Sequence, residues 1–318
     1  MPALPNGGKI RWKRLGDQAF LADLFLRNMG DIGMEKSEEL AQILTWDPGE
    51  RGLLGKLPLA DLDAMVDEMI DAQKVMILTG FPVAAAEVGE TDGPVGAAHI
   101  AHGLTQLGKE VTVVTDRWSL PLVEAACRHR APGASCRCVE QERAREDCEK
   151  LLSEKPDLVI AIERPGKGED GHYHNMRGQV IDHLVADTDL LLEKAPRSIA
   201  IGDGGNELGM GTFSRQIRER VPHGEKICAK VGADHALASG VSNWWGWGVE
   251  ALLSRRTGRW LLPDDEQEEQ LLSQVVEAGG VDGVTGKRQN SVDGLSLDEN
   301  LQVLRQLRQA IQPVQAAL

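Results

Sequence analysis

The chain has 318 residues, 42% of them hydrophobic, enough for one large core or two small ones, and only 4% aromatic, so that core is aliphatic. Its 35 basic against 49 acidic residues leave a formal charge of −14, which repels phosphate backbones and argues against nucleic-acid binding. No apolar run approaches the roughly 18 residues of a membrane span, no signal-peptide core opens the chain, and the five cysteines lack Cys-x-x-Cys spacing, so they read as reduced thiols of a cytoplasmic protein rather than as a zinc site.

Pro2, Pro5, Gly7 and Gly8 make residues 1–15 a flexible tail. Residues 16–73 read as a helical portion, interrupted at Gly30-Asp31-Ile32-Gly33 and at Asp47-Pro48-Gly49. Within it, 57–72 carries apolar residues at three- and four-residue steps. The rhythm then changes to short, wholly apolar runs at 75–78, 111–114, 158–162, 199–201 and 227–229, each predicted as a buried strand. Between them lie helical stretches at 96–107, 121–129, 143–155, 175–194, 207–221 and 245–257, followed by two more at 264–278 and 297–311. Such alternation predicts a Rossmann-like α/β fold, a mostly parallel sheet flanked by helices, as one domain over 16–318.

Open α/β sheets bind ligands beyond the carboxyl ends of their strands, so what each apolar run ends in is informative. Here the runs end in glycines and carboxylates. After the first come Glu90-Thr91-Asp92-Gly93-Pro94, two acids that either aim oxygens at one point or order the turn and cap a helix. After the third come Glu163-Arg164-Pro165-Gly166 and then Asp170-Gly171-His172-Tyr173-His174-Asn175. An ionisable pair at a buried strand end must be paired or functional, and His172-x-His174 reads as an exposed loop in the absence of further clustered ligands. After the fourth stands Gly202-Asp203-Gly204-Gly205-Asn206-Glu207-Leu208-Gly209-Met210-Gly211, read as a strand, a glycine turn and a helix start. Asp203 and Glu207 at that helix entry form an oxygen-rich group suited to Mg2+, Mn2+ or Ca2+. Glu207 stands where a dinucleotide fingerprint needs its third glycine, and no Gly-Lys-Ser/Thr follows, so neither nucleotide loop is supported. The stretch resembles the metal loop of haloacid-dehalogenase phosphatases, whose Asp-x-Asp nucleophile has only Asp61-Leu62-Asp63 as a counterpart, inside a helical pattern. Two later segments, Ser239 to Gly248 and the acidic glycine-rich pair Gly280–Gly286 and Ser291–Gly294, either line the site or serve packing and surface.

Together, Thr91-Asp92-Gly93-Pro94, Glu163-Arg164, Asp170-Gly171-x-Tyr173-x-Asn175, the 202–211 stretch, Ser242-Asn243-Trp244 and Gly280 to Gly286 resemble, in order, the D-glutamate cyclase C-terminal domain family, over roughly residues 20–310. The resemblance implies a carbon–oxygen lyase that turns D-glutamate into 5-oxo-D-proline and water, here a stand-alone relative without the hydro-lyase-like domain of the mitochondrial eukaryotic form. On that chemistry, Asp203, Glu207, Asp92 and Glu90 are expected to hold a divalent cation, Mn2+, Mg2+ or Ca2+, that polarises the reacting carboxyl. Glu163 is the expected proton carrier, Tyr173 the donor to the leaving oxygen, and Asn206 and Asn243 orient the substrate. Arg164 or Arg177 is expected to anchor its α-carboxylate, with Asn175, Thr91, Gly204 and Gly205 completing the pocket. The partner is a small amino acid, and a homo-oligomer is compatible with the composition.

Overall fold

The computed structural model describes residues 36–54, 57 and 60–312; the expected tail at 1–15 and the helical reading of 16–35 lie outside the described residues. Two N-terminal helices, α1 (Lys36–Leu44) and α2 (Leu62–Asp71), lead into the sheet. Then come β1 (Lys74–Thr79), α3 (Pro94–Gln106), β2 (Glu110–Asp116), α4 (Leu120–Arg130), β3 (Ser135–Val139), α5 (Ala144–Ser153) and β4 (Leu158–Ile162). The second half adds α6 (Asp189–Glu193), β5 (Ser198–Gly202), α7 (Ser214–Arg220), α8 (Gly224–Ile227), β6 (His235–Ala238), α9 (Trp244–Thr257), α10 (Asp265–Glu277) and α11 (Leu297–Ile311).

The six strands of the main sheet run parallel, in the order β3-β2-β1-β4-β5-β6, and two short antiparallel ribbons, Pro82–Val83 with Val88–Gly89 and Ser291–Val292 with Leu295–Ser296, lie outside it. The main sheet's order is the doubly wound one, and it reverses between β1 and β4, the place where such sheets bind ligands beyond the strands' carboxyl ends. The two-residue period of a strand explains why the apolar runs are continuous. Val75, Ile77, Leu158, Ile160 and Ile162 face a core built with α1 to α4 and α9 to α11, whereas Met76, Leu78, Val159 and Ala161 face a second core with Cys148, Leu151, Leu191 and Leu192. Trp244, Trp245 and Trp247 are buried in the larger core, Trp244 stacked on Trp46 with ring centroids 5.4 Å apart, so the tryptophans pack rather than line a pocket.

Three readings from the sequence are corrected. The two outermost strands, β3 and β6, escaped it: β3 is Ser135-Cys136-Arg137-Cys138-Val139, half-exposed with only Val139 buried, and β6 is buried at Ala236, Leu237 and Ala238 but too short and alanine-rich to read as a strand. The run 227–229 is instead the end of α8 and a loop. The stretch 175–194 is not one helix, since the Asn175 side chain accepts from the backbone of Arg177 and Gln179 and bends the chain into a turn, leaving only α6 and a short 3-10 turn at Asp182–Leu184. No helix among the described residues is long and apolar enough to cross a membrane.

Candidate active site

At the β1/β4 reversal the loops after β1, β4 and β5 meet the start of α9. Asp92 and Asn243 exchange caps there. Asp92 Oδ1 accepts from the Asn243 backbone N–H (2.7 Å) and Oδ2 from that of Ser242 (3.0 Å), at the entry to α9. Asn243 Oδ1 in turn accepts from Gly93 (2.8 Å) and Gly96 (2.7 Å) at the entry to α3, and its Nδ2 donates to the Thr91 carbonyl (2.9 Å). Each helix entry is thus capped by a side chain from beside the other, and both N-termini favour negative charge near them. The helices approach so closely that a Cβ at Gly246 would stand 2.7 Å from Gly96 Cα.

Glu163 follows β4 with φ of 43°, a left-handed conformation that a non-glycine residue holds only when its surroundings enforce it. Its Oε2 accepts the Ser242 hydroxyl at 2.6 Å. Asp203 follows β5, and its Oδ2 is buried with no hydrogen-bond partner. One carboxylate oxygen each from Asp92, Asp203 and Asp293 lie within 4.8 Å of one another, and so do oxygens of Glu163, Asp203 and Glu207. Asp203 belongs to both sets. Glu90 belongs to the same group: besides burial, Asp293, Asp92 and Arg51 act on its carboxyl. Against these acids stands Arg51, whose guanidinium bridges Asp203 Oδ1 and Asp293 Oδ2 (2.7 Å to the latter).

Such crowding makes negative charge costly. Burial first, and then Asp293, pushes Asp92 up to about 8. Burial and neighbouring carboxylates likewise hold Glu163 and Glu90 well above the usual range. Asp203 is also pushed well up by burial, with Arg51 opposing and Asp293 and Asp92 reinforcing. Burial works against the charge on Arg51, but Asp203 and Asp293 outweigh it and keep the guanidinium protonated. A carboxyl whose folded pKa lies above its unfolded value binds its proton more tightly when folded. Its stabilising effect is complete below about pH 4 and is lost as pH climbs toward the folded pKa, near 8 for Asp92. Acids held low elsewhere, such as Glu250 at about 2, lose their contribution only in more acidic solution, outside this window. Without divalent ions, the melting temperature is thus expected to fall by about 5–10 °C between about pH 5 and about pH 8.5, read by calorimetry; a rise over that interval would contradict the cluster's electrostatics.

The remaining expected residues are placed as follows. Glu207 does not start a helix: its carboxylate folds back on the backbone N–H groups of Asp203 (3.1 Å), Gly204 (2.7 Å) and Gly205 (2.6 Å), which fixes the loop that presents Asp203. Asn206 ties that loop to the His174 carbonyl at 2.8 Å. Thr91 is buried and donates to the Ser291 carbonyl. Tyr173 is buried beside Phe81, Ile181 and Val185 and donates to Asp187 and Asp189, both at 3.0 Å, so it belongs to a separate polar group. Arg164 is fully buried with its nitrogens on Asp116, Thr188 and the carbonyls of Gly80 and Ala186, and Arg177 is exposed on the turn that Asn175 organises. The structure does not bring Tyr173, Asn175, Arg164 or Arg177 to the carboxylates. His172 pairs with Asp182 and His174 with Asp170, and all five cysteines are free thiols. Arg51, Ser242 and Asp293 were not singled out as site residues by sequence. Asp293 sat in a flagged acidic stretch, whereas Arg51, 242 residues from it, carried no signal beyond following a Pro-Gly turn.

Comparison with known proteins points in one direction. A family model described as D-glutamate cyclase-like, C-terminal, matches residues 40–308. The chain is 34% identical over 303 residues to the D-glutamate cyclase, mitochondrial, of Homo sapiens, covering 82% of this chain and 49% of that relative, so it spans about half the curated relative's length.

Proposed function

Because the chain belongs to the D-glutamate cyclase-like C-terminal family, we propose that it is a lyase closing D-glutamate to 5-oxo-D-proline and water, assisted by a divalent cation held by Asp203, Asp92 and Asp293. The observation that carries the cation is the orphaned, buried Asp203 Oδ2 inside two sets of converging carboxylate oxygens. An all-oxygen donor set suits Mg2+, Mn2+ or Ca2+. When bound, such an ion polarises the side-chain carboxyl and offsets charge developing on its oxygen.

The chain's own residues supply the rest. Ring closure forms a bond between the amine nitrogen and the side-chain carboxyl carbon and breaks one carbon–oxygen bond. Two protons must travel from the ammonium to the departing oxygen, which leaves as water. Glu163 is suited to carry them, since burial first and then its acidic neighbours Asp203 and Glu207 raise its affinity for a proton. Its Oε2 is fixed by Ser242. The Glu207-braced loop and the exchanged caps of Asp92 and Asn243 position the site's loops, as attack of the amine on the face of the carboxyl carbon requires.

A phosphatase of the haloacid-dehalogenase type is not favoured. Asp61 caps α2 by accepting from the Ala64 backbone N–H at 3.0 Å, and Asp63 lies in that helix's first turn, so no Asp-x-Asp pair follows β1. Incubating the purified protein with D- or L-glutamate and Mn2+, then quantifying 5-oxoproline by chiral chromatography, tests the reading. Product from D-glutamate is expected, with loss on chelation. Product no greater than in buffer, or phosphate released from a generic ester instead, would remove it.

A further inference from the structure

We infer that Arg51 is the residue that recognises the substrate's α-carboxylate and so sets the preference for an amino diacid; this rests on the cyclisation reading. A diacid entering this site brings two negative charges toward Glu90, Asp92, Glu163, Asp203 and Asp293. The divalent cation of the proposed reaction meets the side-chain carboxyl, and the α-carboxylate needs a cation of its own. Arg164 is sealed away on Asp116 and three further oxygens, and Arg177 stands out in solvent. Arg51 is the cation that acts on Glu90, Asp92 and Asp203 alike.

The geometry suits recognition rather than mere charge balance. The guanidinium spans Asp203 and Asp293, and its side chain keeps 19% exposure, so it is not sealed from solvent. Those two bonds engage two of its five N–H donors. Among the described residues the guanidinium makes no further hydrogen bond, and Asp47, Glu90 and Asp92 act on it only through space, so three N–H donors are left for a carboxylate, which arginine favours meeting in a paired fashion. The two aspartates clamp the plane of the group in advance, which lowers the entropy lost on binding. The backbone is set likewise. Glu50 and Gly52 on either side have φ of 47° and 89°, and a Cβ at Gly52 would come 2.7 Å from the Arg220 carbonyl oxygen.

The test compares D-glutamate with 4-aminobutanoate, which lacks the α-carboxylate yet can close to a lactam. In Arg51→Gln, the KM for D-glutamate is expected to rise about 30-fold or more, and at least about tenfold more than the KM for 4-aminobutanoate, which shares any loss from unbracing Asp203 and Asp293. Arg51→Lys, which keeps the charge but loses the fork, is expected to recover part of the loss. Equal losses for both substrates, or an unchanged KM for D-glutamate, would overturn the inference. Calorimetric titration of D-glutamate into the wild type and both variants needs no turnover and separates the two ideas. If the wild type forms no 5-oxoproline yet binds D-glutamate at least about tenfold more tightly than Arg51→Gln, the cyclisation reading falls and Arg51 stands as a carboxylate site. Equal affinities, or no binding by the wild type, overturn the role of Arg51.

Discussion

Asp203→Asn is expected to lower 5-oxoproline formation by about a thousandfold or more while the melting temperature of the metal-free protein stays level or rises. The two halves of this result have different origins. Asp203 supplies oxygen to both converging carboxylate sets, and its Oδ2 has no protein partner. The amide keeps the shape but offers a poor ligand and no charge, so cation affinity, followed by Mn2+ titration, is expected to fall at least tenfold. Stability runs the other way. Burial and the nearby Asp293, Asp92 and Glu207 disfavour charge on Asp203 more strongly than Arg51 favours it, since the net effect is a raised proton affinity. Removing that charge relieves the folded state, and Arg51 retains Asp293. Turnover within a few-fold of wild type would sink the role given to Asp203, and a large fall in melting temperature would show that its charge is structural.

Why some of this was legible in the sequence and some not follows from how far each feature depends on contacts distant in the chain. Interior strands declare themselves because both faces are buried: Leu158–Ile162 is apolar at every position, and its limits were read correctly. Edge strands do not, and alanine-rich His235–Ala238 has neither length nor β-branched residues to mark it. Acidic glycine loops after strands were visible as candidates because a doubly wound sheet gathers them at one edge. The roles within the cluster were not visible. Whether Glu207 faces a ligand or its own loop depends on the left-handed turns at Gly205 and Gly209, which sequence spacing cannot fix. Asp92 caps a helix, but one that begins 150 residues later rather than its own. Arg51 reaches the site only through the folded arrangement of the segment after α1, a property of tertiary packing and not of any local pattern.

Replacing Arg164 by methionine is expected to cost about 3–5 kcal/mol of stability, measured by denaturant unfolding, with little specific effect on D-glutamate affinity in the protein that remains folded. Arg164 and Asp116 form an ion pair 2.6 Å long with exposures of 0% and 1%. The guanidinium also donates to Thr188 and to the carbonyls of Gly80 and Ala186, so one side chain ties together the ends of β1, β2 and β4. Truncation leaves Asp116 charged, buried and held only by the backbone N–H groups of Trp118 and Ala186, both at 3.3 Å. Most of the expected cost is that stranded charge rather than the worth of the pair. The double variant Arg164→Met/Asp116→Asn is therefore expected to regain about half the loss, because a neutral amide is far cheaper to bury than a carboxylate. Were Arg164 instead the substrate's anchor, the single variant would keep its stability and lose D-glutamate binding, and the second substitution would restore nothing. The sheet's switch point would then be held by something other than this pair, although its loops converge on no other buried guanidinium among the described residues.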